Sequence, residues 1–226
     1  MKRSEINKAI KIALDALETN KFALPPFGHW TPEDWQQAGT ECDRVRLNGL
    51  GWDITDFGSE DFAHIGAVLI TLRNGSVESP ENGTPYAEKA IIMTPGQCIP
   101  LHFHWVKTED IINRGGGTLV IQLYNALDDE SLDMENTVEV YCDGCLKTIR
   151  PGDTMVLQPG ESITLTPRLY HKFWAGEDGG VLVCGEVSTI NDDMVDNRFA
   201  EKVSRFAKIE EDELPLRLLG NEYPSA

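Results

Sequence analysis

The feature that most constrains the fold is a succession of short β-type segments between about Trp52 and Val187. Each segment is rich in Val, Ile, Leu, Thr and Tyr, and Asn-Gly, Pro-Gly, Gly-Gly or Asp-Gly pairs separate them as turns. The segments are VLITLRNG, EKAIIMTPG, TLVIQLYN, VEVYCDGCLKTI, DTMVLQPG, ESITLTP and VLVCGEVS. Because almost no helical periodicity lies between them, we predict an all-β antiparallel barrel or sandwich, with a jelly roll as the favoured form.

The two ends of the chain carry other patterns. Apolar residues recur at helical spacing behind Ser4, a good N-cap, and Thr31-Pro32-Glu33 is typical of the start of a second, short helix. Phe199, Val203 and Phe206 suggest a short helix near the C-terminus. At 226 residues we expect a single domain, with a helical extension at 1–50, a barrel core at 51–190 and a C-terminal segment at 191–226.

Charge excludes two classes of partner. The chain has 20 Lys and Arg residues against 37 Asp and Glu residues, and this net charge of −17 repels nucleic acid and anionic membrane surfaces. Charged residues interrupt every apolar stretch near the N-terminus, so we expect a cytoplasmic protein. We also expect a homodimer, because the helical extension and the C-terminal segment are available for docking.

The five cysteines are expected to be reduced thiols, since their number is odd in a chain of this size. Cys142-Asp143-Gly144-Cys145 forms the one CxxC pattern, and its central Asp-Gly lies between two β-type segments. Asp-Gly in that position is a strong signal for a two-residue hairpin turn. We therefore favour a hairpin, with redox or zinc chemistry as the alternative.

The residues with chemical potential lie in the stretch GQCIPLHFHWVKTEDIINRGG, from Gly96 to Gly116. His102 and His104 are two residues apart, so on a strand they point to the same face, and Glu109 opens the next strand. Two imidazoles and a carboxylate supply three donors for a divalent ion, and His171 is the candidate for a fourth. The alternative is that these histidines line the barrel with satisfied hydrogen bonds or face solvent.

The spacing of Gly96, His102, His104, Glu109 and Gly116 resembles the first motif of the cupin superfamily. The resemblance implies a double-stranded β-helix jelly roll with a metal ion inside the barrel. The second motif departs from the family pattern, because the glycine expected shortly before His171 is missing from Pro167-Arg-Leu-Tyr-His171.

Most of the chain resembles the cupin-type D-lyxose isomerases, which are sugar ketol-isomerases that typically use manganese. The resemblance lies in PGQCIPLHFHWVKTEDIINRGGG, GDTMVLQPGESITLTPRLYHKFW and GEVSTINDDMVDNRF. It implies conversion of D-lyxose to D-xylulose, and of D-mannose to D-fructose, with metal ligands at His102, His104, Glu109 and His171. Mn²⁺ is the expected ion, while Fe²⁺, Co²⁺ and Zn²⁺ are alternatives.

Aldose–ketose interconversion moves one proton between two carbons and another between two oxygens, so it needs groups that transfer protons. We predict Glu186 as the base and Lys107 as the group that moves the oxygen proton or holds a hydroxyl. Arg198 and Asp193 are predicted substrate contacts. The alternatives are a surface carboxylate, a solvated turn lysine and a capped helix start, and we expect a cis-enediol proton transfer rather than a hydride shift.

Two other functions are compatible with the same residues. Two histidines and a carboxylate also hold Fe(II) in oxygenases. A non-catalytic, sugar-binding jelly roll that uses the metal for stability is the second alternative.

Overall fold

A computed structural model describes residues 1–190, 195–203 and 209–225. Its helices lie mainly in the first 50 residues: α1 (Arg3–Thr19), α2 (Pro32–Gln37) and α3 (Asp43–Leu47), with short 3₁₀ helices at Pro26–His29, Thr40–Cys42, Pro80–Asn82 and Gly220–Glu222. None of the helices that the structure describes is long and apolar enough to cross a membrane.

The strands fill the middle of the chain. They are β1 (Gly51–Thr55), β2 (Ala67–Arg73), β3 (Tyr86–Met93), β4 (Cys98–His104), β5 (Glu109–Gly115), β6 (Leu119–Ala126), β7 (Leu132–Asp133), β8 (Val138–Cys142), β9 (Cys145–Ile149), β10 (Thr154–Leu157), β11 (Ser162–Leu165), β12 (Leu169–Ala175), β13 (Leu182–Thr189) and β14 (Asn197–Phe199).

The strands form two antiparallel sheets. One has the order β1-β2-β3-β13-β5-β11-β8-β9 and the other β10-β6-β12-β4-β14, with β7 beside β6. Neighbours in each sheet are often distant in sequence, as in a jelly roll, where strands alternate between the sheets. The predicted all-β jelly-roll class, with an N-terminal helix and short peripheral helices, is confirmed.

Two apolar cores hold this arrangement together. The larger lies between the sheets and includes Ile91, Ile121 and Phe173. The smaller lies outside the barrel, where Ile6 and Ile10 of α1 pack against the outer face of β1–β3 and β13. Strands β2, β3 and β13 are therefore buried on both faces, which explains their unbroken apolar runs, such as AVLI in β2 and AIIM in β3.

Of the two predicted helix N-caps, Ser4 and Thr31, only Thr31 is confirmed. Helix α1 begins at Arg3 with Lys2 as N-cap, so Ser4 lies inside the helix and its hydroxyl donates to Asp212 at 2.7 Å. Thr31 does cap α2, because its hydroxyl accepts the N–H of Asp34 at 3.2 Å.

The Cys142–Cys145 stretch is the predicted hairpin. Strands β8 and β9 pair in register across it, and Asp143 and Gly144 both have positive φ, at 50° and 77°. Two successive residues with positive φ make a type I′ turn, the conformation that favours glycine. Both cysteines are free thiols.

The C-terminal segment differs from the expectation in one place. Residues Asn197–Phe199 form a strand at the edge of the second sheet, beside β4, instead of helix. Phe206, on which the predicted helix also depended, lies outside the described residues. The division into extension, core and C-terminal segment stays a prediction.

Candidate active site

Strand register brings the three predicted histidine ligands together inside the barrel. His102 and His104 lie on β4 with Phe103 between them, so both point inward as the alternation predicted. His171 on β12 is the direct cross-strand partner of His102. The ring centroids of His102 and His171 are 4.1 Å apart, and the candidate ligand atoms of the three histidines lie within 4.8 Å of one another.

Hydrogen bonds to backbone carbonyls fix the orientation of each ring. Nδ1 of His102 lies 2.8 Å from the carbonyl of Pro100, Nδ1 of His171 lies 2.9 Å from that of Leu169, and Nδ1 of His104 lies 3.2 Å from that of Asp196. A carbonyl can only accept, so each Nδ1 carries the proton. In the neutral ring Nε2 is then an acceptor, which is the form that binds metal.

Glu109 points its carboxylate at these acceptors. Its Oε1 lies 3.2 Å from Nε2 of His104 and 3.2 Å from Nε2 of His171. Its Oε2 lies 2.6 Å from Nζ of Lys107. Within the described residues Nε2 of His171 makes no hydrogen bond, so its closeness to Oε1 is a contact between two acceptors.

This donor set fits a divalent cation. Two unprotonated nitrogens and a carboxylate oxygen converge in a buried space, and such an arrangement is electrostatically unfavourable unless a positive charge lies between them. Adjacent ligands of one ion with bonds of roughly 2.1 Å lie about 3 Å apart, close to the separations seen here. We conclude that His102, His104 and His171 can bind a metal, with Glu109 placed beside them.

Burial and charge tune these donors. Burial lowers the pKa of His102 well below its ordinary value, and His171 and His104 lower it further. Burial also lowers the pKa of His171. Burial alone would raise the pKa of Glu109, but the charge of Lys107 and the neighbouring imidazoles bring that pKa well below its ordinary range. His102 and His171 are therefore neutral, and Glu109 is ionised, at neutral pH.

Lys107 and Glu186 lie next to the histidine cluster. Nζ of Lys107 is 3.1 Å from Oε1 of Glu186, and the two residues are only 2% and 4% exposed. Glu186 lies on β13 directly opposite Lys89 of β3, whose Nζ is 3.5 Å from the same oxygen. The alternatives considered from sequence, a surface carboxylate and a solvated lysine, do not describe these buried side chains.

A cavity of about 100 Å³ opens beside this cluster. Its polar wall is formed by the histidines of β4 together with Lys89, Lys107, Glu109 and Glu186, and Asp53 and Thr55 of β1 also line it. Apolar residues also line it, among them Phe57, Ile99, Phe173 and Phe199. Phe199 stacks on the His102 ring with centroids 5.0 Å apart.

The structure does not bring Arg198 to this cavity. Arg198 on β14 is the cross-strand partner of Phe103 on β4, so it points away from the face of the sheet that carries the two histidines. Its Nε donates to Oε2 of Glu130 at 2.7 Å, and the side chain is 42% exposed. Asp193, the other predicted substrate contact, lies outside the described residues.

Sequence reasoning missed several cavity residues. Phe173 lines the cavity while also packing in the inner core. Asp53, Lys89 and Phe199 also line the cavity, and none of them was predicted as a site residue. For Lys89 a signal existed, because a lysine inside the apolar run EKAIIM is unusual on a strand that is otherwise buried. His64 is a surface residue, and its Nδ1 lies 2.9 Å from Oδ1 of Asp61.

The chain has relatives along nearly its whole length. A family model described as D-lyxose isomerase matches residues 1–223. A D-lyxose/D-mannose isomerase of Serratia proteamaculans is 46% identical over 99% of this chain and 98% of that protein, and one of Escherichia coli O157:H7 is 43% identical with the same coverage.

Solved structures give the same fold. An L-ribose isomerase of Cellulomonas parahominis superposes with a TM-score of 0.57 at 19% identity, over 90% of this chain and 94% of that one. An L-ribose isomerase of Acinetobacter sp. DL28 gives a TM-score of 0.58 at 14% identity, over 89% and 93% of the two chains. At these identities the likeness supports the fold alone, whereas the family match and the sequence relatives show that this chain belongs to the D-lyxose isomerase family.

Proposed function

We propose that this protein is a metal-dependent aldose–ketose isomerase that converts D-lyxose to D-xylulose and D-mannose to D-fructose. The observation that carries the proposal is the convergence of unprotonated nitrogens and the Glu109 carboxylate beside a cavity that also holds Lys107 and Glu186. The substrates are those named for the sequence relatives and their ketose products.

We assign His102, His104, Glu109 and His171 as the metal ligands. A divalent ion held there would polarise the sugar carbonyl and stabilise negative charge on its oxygens. Manganese is our proposed ion, in keeping with the family resemblance.

Glu186 is the proposed base. Its carboxylate faces the cavity and would take the proton from C2 of the aldose, then return a proton to C1 of the resulting cis-enediol to give the ketose. Nζ of Lys107 and Nζ of Lys89 lie 3.1 Å and 3.5 Å from the same carboxylate oxygen and hold it in place.

Lys107 is the proposed group for the second proton. Its ammonium lies between Glu109 and Glu186, so it is positioned to give a proton to O1 and then to take the proton that O2 loses, which restores the ammonium. The apolar wall of Phe57, Ile99, Phe173 and Phe199 excludes water from the reacting carbons, which limits loss of the carbon-bound proton to solvent.

Turnover, metal dependence and isotope incorporation test the proposal together. The purified protein is treated with chelator, reloaded with Mn²⁺ and supplied with D-lyxose or D-mannose in D₂O under anaerobic conditions. We expect ketose only after reloading, with deuterium at the reacting carbon over many turnovers. Product without deuterium would indicate a hydride shift, oxygen consumption would indicate an oxygenase, and stabilisation by metal without turnover would indicate a sugar-binding protein.

The substrate-contact role of Arg198 stays a separate prediction. That hypothesis predicts a KM raised tenfold or more in Arg198→Ala. The pairing with Glu130 on the outer face predicts a change below threefold, and the structure favours the second result. The homodimer and the cytoplasmic location are likewise predictions from the sequence.

A further inference from the structure

Asp196 connects the C-terminal segment to the loop that carries Lys107. Its Oδ1 accepts the backbone N–H of Val106 at 2.9 Å, and its Oδ2 accepts that of Lys107 at 3.0 Å. Its own carbonyl accepts Nδ1–H of His104 at 3.2 Å. Asp196, which is buried, therefore bonds two backbone N–H groups of the β4–β5 connection and the side chain of His104, the last residue of β4.

The side chains at the tip of the loop face outward. Val106 is 75% exposed, and Trp105 packs edge to face on Phe103, with centroids 4.8 Å apart, on the side of β4 opposite to the two histidines. The side chain of Lys107, in contrast, enters the buried charge cluster between Glu109 and Glu186. The position of its ammonium therefore depends on where the backbone at residue 107 is held.

Asp196 is itself held by strand pairing. Its neighbour Asn197 is the cross-strand partner of His104 on β4. The carboxylate of Asp196 thus projects from a fixed strand end towards the loop, and both of its oxygens are used in charge-assisted hydrogen bonds, which are stronger than neutral ones. A rigid strand pair therefore sets the register of the loop relative to the two histidines.

We propose that Asp196 is a positioning residue for the isomerisation, because it fixes the backbone of Lys107 so that the lysine ammonium reaches the sugar oxygens. The inference rests on the proposed function of Lys107. It extends that function by naming the group that makes the lysine effective, a residue that does not line the cavity.

The test compares Asp196→Asn with a matched control, Asp133→Asn. Asp133 is equally buried and its carboxylate also accepts two consecutive backbone N–H groups, of Glu135 at 2.9 Å and Asn136 at 3.0 Å, but it lies beside β6, outside the cavity. In Asp196→Asn the amide NH₂ replaces one of the two acceptor oxygens, so one backbone N–H loses its partner. In Asp133→Asn both backbone N–H groups bond to Oδ1, so the NH₂ takes the place of Oδ2 and the side-chain amide of Asn136 loses its partner instead. Both Mn²⁺-loaded variants are measured for kcat, KM, Mn²⁺ affinity and amide hydrogen exchange.

For Asp196→Asn we expect kcat to fall at least tenfold while KM and the Kd for Mn²⁺ stay within threefold. The amides of Val106 and Lys107 should exchange at least tenfold faster. Asp133→Asn should speed exchange at its own loop and leave kcat within twofold of the parent. A merely structural role for Asp196 would move stability and exchange in both variants but leave kcat unchanged in both.

Two results would overturn the inference: a kcat for Asp196→Asn within twofold of the parent, or unchanged exchange at Val106 and Lys107. If the Asn variant does not fold, Asp196→Ser keeps one short acceptor, and the same criteria apply to it. A parent protein that turns over neither sugar refutes the proposed function instead, and amide exchange still reports whether Asp196 holds the loop.

Discussion

Replacing Glu186 by glutamine should abolish most catalysis while leaving the site assembled. Glutamine has nearly the same shape and keeps an oxygen that can accept from Nζ of Lys107, which lies 3.1 Å from Oε1 of Glu186. What is lost is the base. A positioned general base contributes about 10²–10⁴-fold to rate, so kcat should fall by that factor, which corresponds to roughly 3–5 kcal/mol of transition-state stabilisation.

The effect on stability should be smaller and can be separated from the effect on rate. Removing one partner of a buried ion pair costs about 3–5 kcal/mol when the other charge is left alone. Lys107 keeps Glu109 at 2.6 Å, so we expect a loss at or below the lower end of that range. Urea unfolding of the metal-loaded variant measures this loss, and kcat is referred to the folded fraction.

The assay follows ketose formation from D-lyxose and deuterium incorporation from D₂O by proton NMR. Glu88→Gln is the matched control, since Glu88 is also a strand carboxylate in an ion pair, but with Arg73 at the surface. Its kcat should stay within twofold of the parent. The reasoning is refuted if the Glu186 variant keeps more than a tenth of the parental kcat, or incorporates deuterium as fast as the parent.

Three further predictions concern the metal ligands and the motif glycines. His171→Gln should raise the Kd for Mn²⁺, measured by titration calorimetry. Mutation of a residue that only hydrogen-bonds to a metal ligand costs roughly 10–100-fold in affinity, and His171→Gln should cost at least as much because it removes a proposed ligand itself. Gly116→Ala should lower the free energy of unfolding, measured with urea, by more than Gly96→Ala does. Both glycines have positive φ, which costs other residues about 1–2 kcal/mol. A Cβ on Gly116 would also lie 1.9 Å from the Val181 carbonyl oxygen, whereas one on Gly96 meets open space. The chelated protein should lose thermal stability as pH falls from 7.5 to 5.5. The pKa of His102 is lowered in the folded state, so this imidazole binds a proton more readily in the unfolded chain, and protonation favours unfolding. His102→Gln should reduce this dependence of the melting temperature on pH.

The sequence was sufficient for the fold class and for the central residues of the site. Turn dipeptides and β-type segments predicted the strands, and period-two alternation placed His102 and His104 on one face, since both signals are local. His171 could be named as a candidate, but its contact with His102 depends on the pairing of β12 with β4, which are about seventy residues apart. Pairing between distant strands is not encoded in any one segment.

What the sequence did not predict also depends on contacts between distant segments of the chain. The segment at Phe199 has no strand signal of its own and becomes a strand because the open edge of β4 accepts it, so tertiary context overrides local pattern. The face on which Arg198 lies follows from that unpredicted strand. Asp196 was missed because its importance depends on backbone N–H groups of a loop ninety residues earlier in the chain, and backbone donors leave no trace in side-chain pattern.

Each of the two sheets has an interior strand that the ribosome makes late. Strand β13 fills the gap between β3 and β5, and β12 fills the gap between β6 and β4, although both are made late, at residues 182–189 and 169–175. Until they emerge from the ribosome, four strand edges stay open, and unpaired edges are where chains aggregate. Folding must therefore wait for nearly the whole barrel, so a chain that ends before residue 182 should be insoluble rather than merely inactive.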